Sequence, residues 1–117
     1  MPKVYIPHRG SNDYSDAARF GDVVFLTEGV WSSQDIPGIY AKLLPGLEHS
    51  SEDDFLVLAG LPTIFGLASS ILAHKHRRVN YLIFHYGVYV PRHLDFERKE
   101  SSMAGGMKPK PKPKPGK

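Results

Sequence analysis

Residues 53–78 read DDFLVLAGLPTIFGLASSILAHKHRR, and they contain the two clearest structural signals of the chain. The first part, FLVLAG (55–60), is a continuous apolar run between acidic residues and a glycine, as in a strand buried on both faces of a parallel sheet. We expect Leu56 and Leu58 to be core residues of this central strand. The second part, from Leu61 onward, predicts an amphipathic helix that packs on the sheet. Its apolar stripe is Ile64, Leu67, Ala68, Ile71 and Leu72.

The segments before this stretch repeat the alternation of strand and helix. KVYIP (3–7) and DVVFLTEG (22–29) are rich in β-forming residues and predict two strands. Between them, DYSDAARFGD (13–22) predicts a short helix that Asn12 or Asp13 can cap. The chain is therefore expected to begin with a strand, a helix and a second strand.

A further helix and a hairpin complete the predicted elements. Asp35 and Pro37 are a typical cap and first-turn residue of a helix, which Pro45 is expected to interrupt. The residues predicted to be buried in this helix are Ile36, Ile39, Tyr40, Leu43 and Leu44. VNYLIFHYGVYVPRH (79–93) contains two β-rich runs around HYG, so it predicts a β-hairpin whose second strand stops at Pro91.

This order of elements predicts a compact α/β fold for residues 1–100. Right-handed crossovers favour a small, mostly parallel sheet of about five strands, with an antiparallel C-terminal edge hairpin and helices packed on the sheet. A segment of this length suits one domain with one hydrophobic core. Residues 101–117 begin with a Gly- and Ser-rich hinge, SSMAGG, and continue as a Lys-Pro tail.

The composition excludes several classes of protein. The chain of 117 residues contains no cysteine, which excludes disulfides, thiolate metal ligands and cysteine nucleophiles. No apolar run approaches the roughly 18 residues that a membrane span needs, so we expect no membrane interaction. The first residues, MPKVYIPHRG, lack the apolar segment of a signal peptide. Together these features predict a cytoplasmic protein.

Positive charge is concentrated at the C-terminal end. Residues 1–100 contain ten Lys and Arg against twelve Asp and Glu, whereas residues 101–117 add five lysines and no acid. Alternating prolines exclude a helix and favour an extended polyproline II rod, whose cations can contact nucleic acid without reading its sequence. The predicted polyanion contacts in this tail are Lys108, Lys110, Lys112, Lys114 and Lys117. A passive, solubilising tail is the alternative interpretation.

The basic segment AHKHRR (73–78) closes the long predicted helix. Its cations complement the negative end of that helix, and Lys75, Arg77 and Arg78 can also form an anion-contacting patch. His74 and His76 do not predict a metal site, because residues two apart on a helix point about 200° away from each other. We predict no bound metal ion.

Six polar residues follow the predicted parallel strands and can converge at the edge where open α/β sheets bind ligands. They are His8, Arg9, Asn12, Asp13, Glu28 and Thr63. Arg9 can hold a phosphate or carboxylate with its planar guanidinium, and the helix that starts after Gly60 favours an anion. Alternatively, Asn12, Asp13 and Thr63 are ordinary loop and cap residues that bond nearby backbone. Neither G-x-G-x-x-G nor G-x-x-x-x-G-K-[ST] is present, and we predict no catalytic residue and no cofactor.

Two long segments resemble a known family. They are DYSDAARFGDVVFLTEG (13–29) and DDFLVLAGLPTIFGLASSILAHKHRRVNYLIFHYGVYVPR (53–92), together with the spacing between them. Over roughly residues 4–95, the chain resembles a family of small bacteriophage-type α/β proteins to which no activity is assigned. The resemblance implies a viral protein in the host cytoplasm, and it implies no catalytic residues.

Three functions are consistent with these observations. The leading hypothesis is a small viral accessory protein, a non-enzymatic binding module that contacts a protein partner or itself and uses its basic arm on nucleic acid or an acidic partner. The first alternative is an enzyme that binds a nucleotide or phosphorylated ligand through the six polar residues. The second is a virion or assembly component whose hairpin edge, VYVPRH (88–93), pairs with another subunit.

Overall fold

The computed structural model describes residues 1–96. The first half contains β1 (Lys3–Ile6), a 3₁₀ helix (Ser15–Phe20), β2 (Asp22–Phe25) and α1 (Ile36–Gly46). The second half contains β3 (Phe55–Val57), α2 (Pro62–His76), β4 (Arg78–His85) and β5 (Val88–Asp95). The predicted domain boundary near residue 100 lies outside the described residues. Within residues 1–96, no helix is long and apolar enough to cross a membrane.

The five strands of the described region form one mixed sheet in the order β2-β1-β3-β4-β5. β1 pairs in parallel with β2 and β3, β3 pairs in parallel with β4, and β5 runs antiparallel beside β4. The predicted α/β class, mostly parallel sheet and antiparallel C-terminal hairpin are therefore confirmed. The predicted end of the second hairpin strand at Pro91 is wrong, because β5 continues through Pro91 to Asp95. The hairpin turn has positive φ at Tyr86 (49°) and Gly87 (88°), which matches the type I′ turn of two-residue hairpins.

The strand order explains why the helices lie on both faces of the sheet. Along the sheet, the connection from β1 to β2 runs toward the β2 edge, whereas the connections from β2 to β3 and from β3 to β4 run toward the β5 edge. Because crossovers are right-handed, connections that run in opposite directions lie on opposite faces of the sheet. The 3₁₀ helix covers one face, where Ala17 packs with Val4 and Val57. Helices α1 and α2 cover the other, where Ile39 and Ile64 share one cluster. We call these the 3₁₀ face and the helix face.

The apolar stripe of α2 is confirmed. Its stripe residues pack in the cluster on the helix face: Ile64, Ala68, Ile71 and Leu72 are buried, and Leu67 is partly buried. Helix α1 also begins as predicted, because Asp35 Oδ1 accepts the N–H of Gly38 at 3.0 Å.

The predicted burial of α1 is only partly correct. Ile39 and Leu43 are fully buried, but Ile36, Tyr40 and Leu44 are exposed, so their predicted burial is wrong. The three exposed residues lie four apart on one side of α1, and the helix turns its other side toward α2 and the sheet. Pro45 lies inside α1, which continues to Gly46.

Strand β3 is shorter than its apolar run predicts. Leu56 is fully buried, as expected, whereas Leu58 is 47% exposed, so its predicted core position is wrong. The backbone N–H of Leu58 still donates to the carbonyl of Leu82 at 3.0 Å, but the chain then turns at Gly60 (φ 86°) toward α2. Leu58 therefore lies at the end of the sheet, beyond the helix cluster.

The outer edge of β5 is occupied by side chains of the 3₁₀ helix. Tyr89 donates its backbone N–H to Asp16 Oδ2 at 3.0 Å, and its carbonyl accepts from Arg19 Nη2 at 2.9 Å. The hydrogen bond from Tyr89, with a smaller contribution from Arg19, lowers the pKa of the Asp16 carboxyl. We call Asp16 and Arg19 the edge clamp.

Proline extends this protection along β5. Backbone groups alternate in direction along a strand, so Pro91 faces outward like Tyr89 and places its missing N–H at the edge. Arg92 Nη1 donates to the carbonyl of Pro91 at 2.7 Å. This is the edge that was predicted to pair with another subunit. Among residues 1–96, its outward backbone groups without a partner are those of His93 and Asp95.

Candidate functional site

His8 lies just after β1, between β1 and β3, where the strand order reverses and open α/β sheets bind ligands. Thr27 Oγ1 donates to the carbonyl of Pro7 at 2.8 Å and lies 2.7 Å from His8 Nδ1. The single proton of the Thr27 hydroxyl is donated to Pro7, so Thr27 Oγ1 accepts a hydrogen bond from the Nδ1–H of His8. His8 is one wall of a pocket of about 310 Å³ whose other walls are Gly29, Val30, Trp31, Leu61 and Ile64.

Arg9 and Glu28 form an ion pair at a second pocket. Arg9 Nε lies 3.3 Å from Glu28 Oε1, and the guanidinium lies 3.8 Å from the centroid of the Phe25 ring. Both charged side chains are exposed, so the pair stabilises the fold by about 1 kcal/mol at most. The two residues line a groove of about 320 Å³ together with β2 and Lys42 of α1.

Asn12 and Asp13 lie at a third pocket, on the 3₁₀ face. This pocket has a volume of about 350 Å³, and its other walls are Tyr14, Leu58, Ala59, Phe84 and Tyr89. Asp13 Oδ1 accepts the backbone N–H of Ser15 at 2.9 Å, and this bond lowers the pKa of the Asp13 carboxyl. Burial raises the pKa of the Tyr89 hydroxyl, and the neighbouring Tyr14 adds to the effect. The pocket thus combines aromatic walls with a charged carboxylate.

Thr63 lies in the first turn of α2, where its hydroxyl donates to the carbonyl of Ser33 at 2.6 Å. It therefore links α2 to the loop before α1. Three pockets separate the other predicted residues: His8 in the first, Arg9 and Glu28 in the second, Asn12 and Asp13 in the third. The structure does not bring the six residues to one site, and their ligand-binding role remains a prediction.

Lys75 caps the neighbouring helix. Its Nζ donates to the carbonyls of Leu47 at 2.8 Å and Glu48 at 3.0 Å, where α1 ends. The sequence indicates a cation at the end of α2, but the contact with α1 depends on how the two helices pack. The bonds hold the Lys75 ammonium against the protein.

Arg77 and Arg78 follow α2. Arg77 takes a left-handed conformation (φ 57°) at the helix end, and its N–H donates to the carbonyl of Ala73. Arg78 donates through Nη1 to Asp95 Oδ1 at 3.1 Å and through Nε to Asn80 Oδ1 at 3.0 Å. The role of these arginines in binding a polyanion stays a prediction, and the five tail lysines lie outside the described residues.

The two histidines of α2 have different surroundings. His76 Nε2 lies 2.9 Å from Ser50 Oγ, whereas His74 is exposed to solvent. In the part of the chain that the structure describes, no group of three or more His, Cys, Asp or Glu residues is placed to hold a metal ion.

The end of the hairpin exposes large apolar side chains that the sequence analysis did not single out. Phe84 is 58% exposed, Tyr86 is 92% exposed and Val88 is 46% exposed. The Phe84 ring lies 5.1 Å from the buried ring of Tyr89, and Leu58 lines the same pocket. These four exposed residues surround the end of the hairpin, with Phe84 and Val88 on opposite faces of the sheet, and we call Leu58, Phe84, Tyr86 and Val88 the hairpin-end patch. The aromatic residues around the turn were a visible signal, but their exposure depends on the fold.

A family model matches most of the chain. It is described as phage Pam3 gp32-like protein, and it matches residues 2–96. The chain belongs to the phage Pam3 gp32-like protein family. The resemblance to a bacteriophage family is thereby confirmed, and the match includes every described strand and helix. No curated protein and no solved structure matches the chain.

Proposed function

We propose that this phage-family protein is a non-enzymatic binding module that acts through protein contacts in the host cytoplasm or the virion. The observation that carries the proposal is the exposure of Phe84 and Tyr86 in the hairpin-end patch. Aromatic side chains supply much of the binding energy of protein interfaces, and clustered exposed apolar residues are typical of interaction sites. The Lys-Pro tail adds attraction to nucleic acid or to an acidic partner.

The hairpin is well suited to hold such a patch. The tight turn and the backbone pairing between β4 and β5 fix the position of β5. The edge clamp holds Tyr89 next to Phe84. A surface that is already ordered loses little conformational entropy when it binds. These features support a preformed contact surface.

An enzyme that uses the six polar residues has less support. His8 is bonded to Thr27, Arg9 is paired with Glu28, and the residues line three different pockets. Groups that share a reaction must converge on one substrate, and a nucleophile must lie within hydrogen-bond reach of its base. A nucleotide or phosphate ligand near Arg9 remains the second candidate function, and a virion or assembly component remains the third.

The patch can be tested with a double substitution. Phe84→Ser with Tyr86→Ser should weaken capture of a protein partner from phage-infected cells at least about tenfold, because both aromatic contacts are lost. The matched control is Ile36→Ser with Tyr40→Ser. This control also replaces two exposed apolar side chains, one aliphatic and one aromatic, but on α1. Thermal unfolding checks that both double variants stay folded. Equal capture by the two double variants would contradict the proposal.

The second candidate function predicts stabilisation by an anion. If phosphate or a nucleotide binds at Arg9, the wild-type protein should gain about 2.7 kcal/mol at 100 times the Kd, and Arg9→Ala should lose this gain. Arg92→Ala is the matched control, because Arg92 is also an exposed arginine. The measurement is thermal unfolding with and without each anion. A wild-type protein that no anion stabilises would remove this function.

A further inference from the structure

β2 is the other edge strand of the sheet, and its outer edge is open. The backbone N–H groups of Asp22 and Leu26 both donate to the segment of β1, at 2.9 Å. Because backbone groups alternate in direction, Val24 also faces β1, whereas Val23 and Phe25 face outward. Among residues 1–96, no partner satisfies the outward N–H and C=O groups of Val23 and Phe25.

The groove of about 320 Å³ follows this edge. Val23 and Phe25 line it and belong to the cluster on the 3₁₀ face, while Leu26 and Lys42 line it from the helix face. A groove with walls from both faces runs beside the backbone of the edge strand. This is the position that an added strand occupies.

The opposite edge of the sheet differs. On β5, the edge clamp occupies both backbone groups of Tyr89, and Pro91 has no N–H to offer. Prolines and covering side chains are the features that keep sheet edges from pairing. The β5 edge is therefore shielded at Tyr89 and Pro91, and only its far end, at His93 and Asp95, has free backbone groups like those of β2.

We propose that the occupant of this groove is β2 of a second copy of the chain, running antiparallel about a two-fold axis at Val24. In this register, Val23 of each copy lies opposite Phe25 of the other. Each of these residues offers one N–H and one C=O, so the two copies form four hydrogen bonds. Val24 lies opposite Val24 as a non-hydrogen-bonded pair, as the alternation of antiparallel pairs requires.

Charge complementarity favours this occupant and this register. Within the described region, the side chains of Asp22 and Lys42 form no ion pair or hydrogen bond. Asp22 lies two residues from Val24, which packs on the helix face, so Asp22 projects toward the face that carries Lys42. In the paired strands, Asp22 of each copy lies opposite Leu26 of the other, beside Lys42. The two-fold axis therefore creates two Asp22–Lys42 pairs.

The full-length protein should show a monomer–dimer equilibrium in sedimentation between about 1 μM and about 1 mM. Asp22→Lys or Lys42→Asp alone should raise the dimer Kd at least about tenfold, because like charges then face each other twice. The combination of both substitutions should restore the Kd to within about threefold of wild type. Asp53→Lys, which changes the charge by the same amount outside the groove, should leave the Kd unchanged.

A proline tests the hydrogen bonds. Val23→Pro removes two of the four bonds between copies and should raise the dimer Kd at least about tenfold, while the bonds from β2 to β1 stay intact. A protein that stays monomeric at every concentration overturns the proposal. A dimer whose Kd is unchanged by Asp22→Lys also overturns it. Phe84→Ser with Tyr86→Ser should keep the dimer, so failure here is distinguishable from failure of the hairpin-end patch.

Discussion

Leu56→Ala should lower the free energy of unfolding by about 2 to 5 kcal/mol. Leu56 is fully buried on β3, in the cluster that α1 and α2 form on the helix face. Truncation there removes apolar contacts and leaves a cavity that the surrounding strands and helices only partly fill, because β3 is paired on both sides. Urea unfolding, followed by circular dichroism, measures the loss as a lower midpoint with an unchanged slope.

Leu58→Ala is the matched control for this prediction. Both variants shorten a leucine side chain to alanine, two residues apart, but Leu58 is 47% exposed and lies beyond the end of β3. We expect a loss of less than about 1 kcal/mol. Equal losses in the two variants would show that β3 continues through Leu58 and that the core extends to the end of the sheet.

Deletion of residues 107–117 should greatly weaken binding to nucleic acid of any sequence. The deleted segment contains five lysines, whereas residues 1–100 have two more acidic than basic side chains. If all five lysines contact phosphates, the slope of log K against log salt should fall by about 4 to 5, at roughly 0.9 per contact on B-DNA. Fluorescence anisotropy with a labelled duplex, at several salt concentrations, measures both slopes.

Two further variants separate charge from chain conformation in the tail. Replacing the five lysines by glutamine should reproduce the deletion, because it removes the cations and keeps the prolines. Replacing the four prolines at 109, 111, 113 and 115 by alanine should keep the salt slope, because the cations remain. The tail is a passive appendage if the full-length and deleted proteins bind equally weakly at low salt.

Local patterns were sufficient to predict most of the architecture. The periodicity of α2, the Asp35 cap of α1 and the short loop of the β4–β5 hairpin each depend on residues close together in sequence. The apolar run of β3 predicted its central place in the sheet. It could not predict where β3 ends, because the turn at Gly60 leads away from the sheet while the residues remain apolar.

The candidate site could not be predicted in the same way. The six polar residues of the predicted site follow parallel strands in sequence. Whether their side chains lie close together depends on the strand order and on the face of the sheet that each connection crosses. The chain leaves β1 toward the 3₁₀ face, which carries Asn12 and Asp13 away from His8. Contacts such as Lys75 with the end of α1 likewise join residues that are distant in sequence. No local pattern contains this information.

The edge clamp has a consequence for the size of any assembly. The clamp shields the hairpin end of β5, and His93 and Asp95 keep free backbone groups only at the other end of that strand, so strand pairing at β2 ends with a closed pair of copies. Asp16 and Arg19 are more than sixty residues from Tyr89 along the chain, and the 3₁₀ helix that holds them is short. If this helix detaches, the backbone groups of Tyr89 become free in addition to those of His93 and Asp95, and pairing at β5 as well as at β2 can continue into a linear filament. Asp16 and Arg19 thus limit how much of the β5 edge a neighbouring strand can reach.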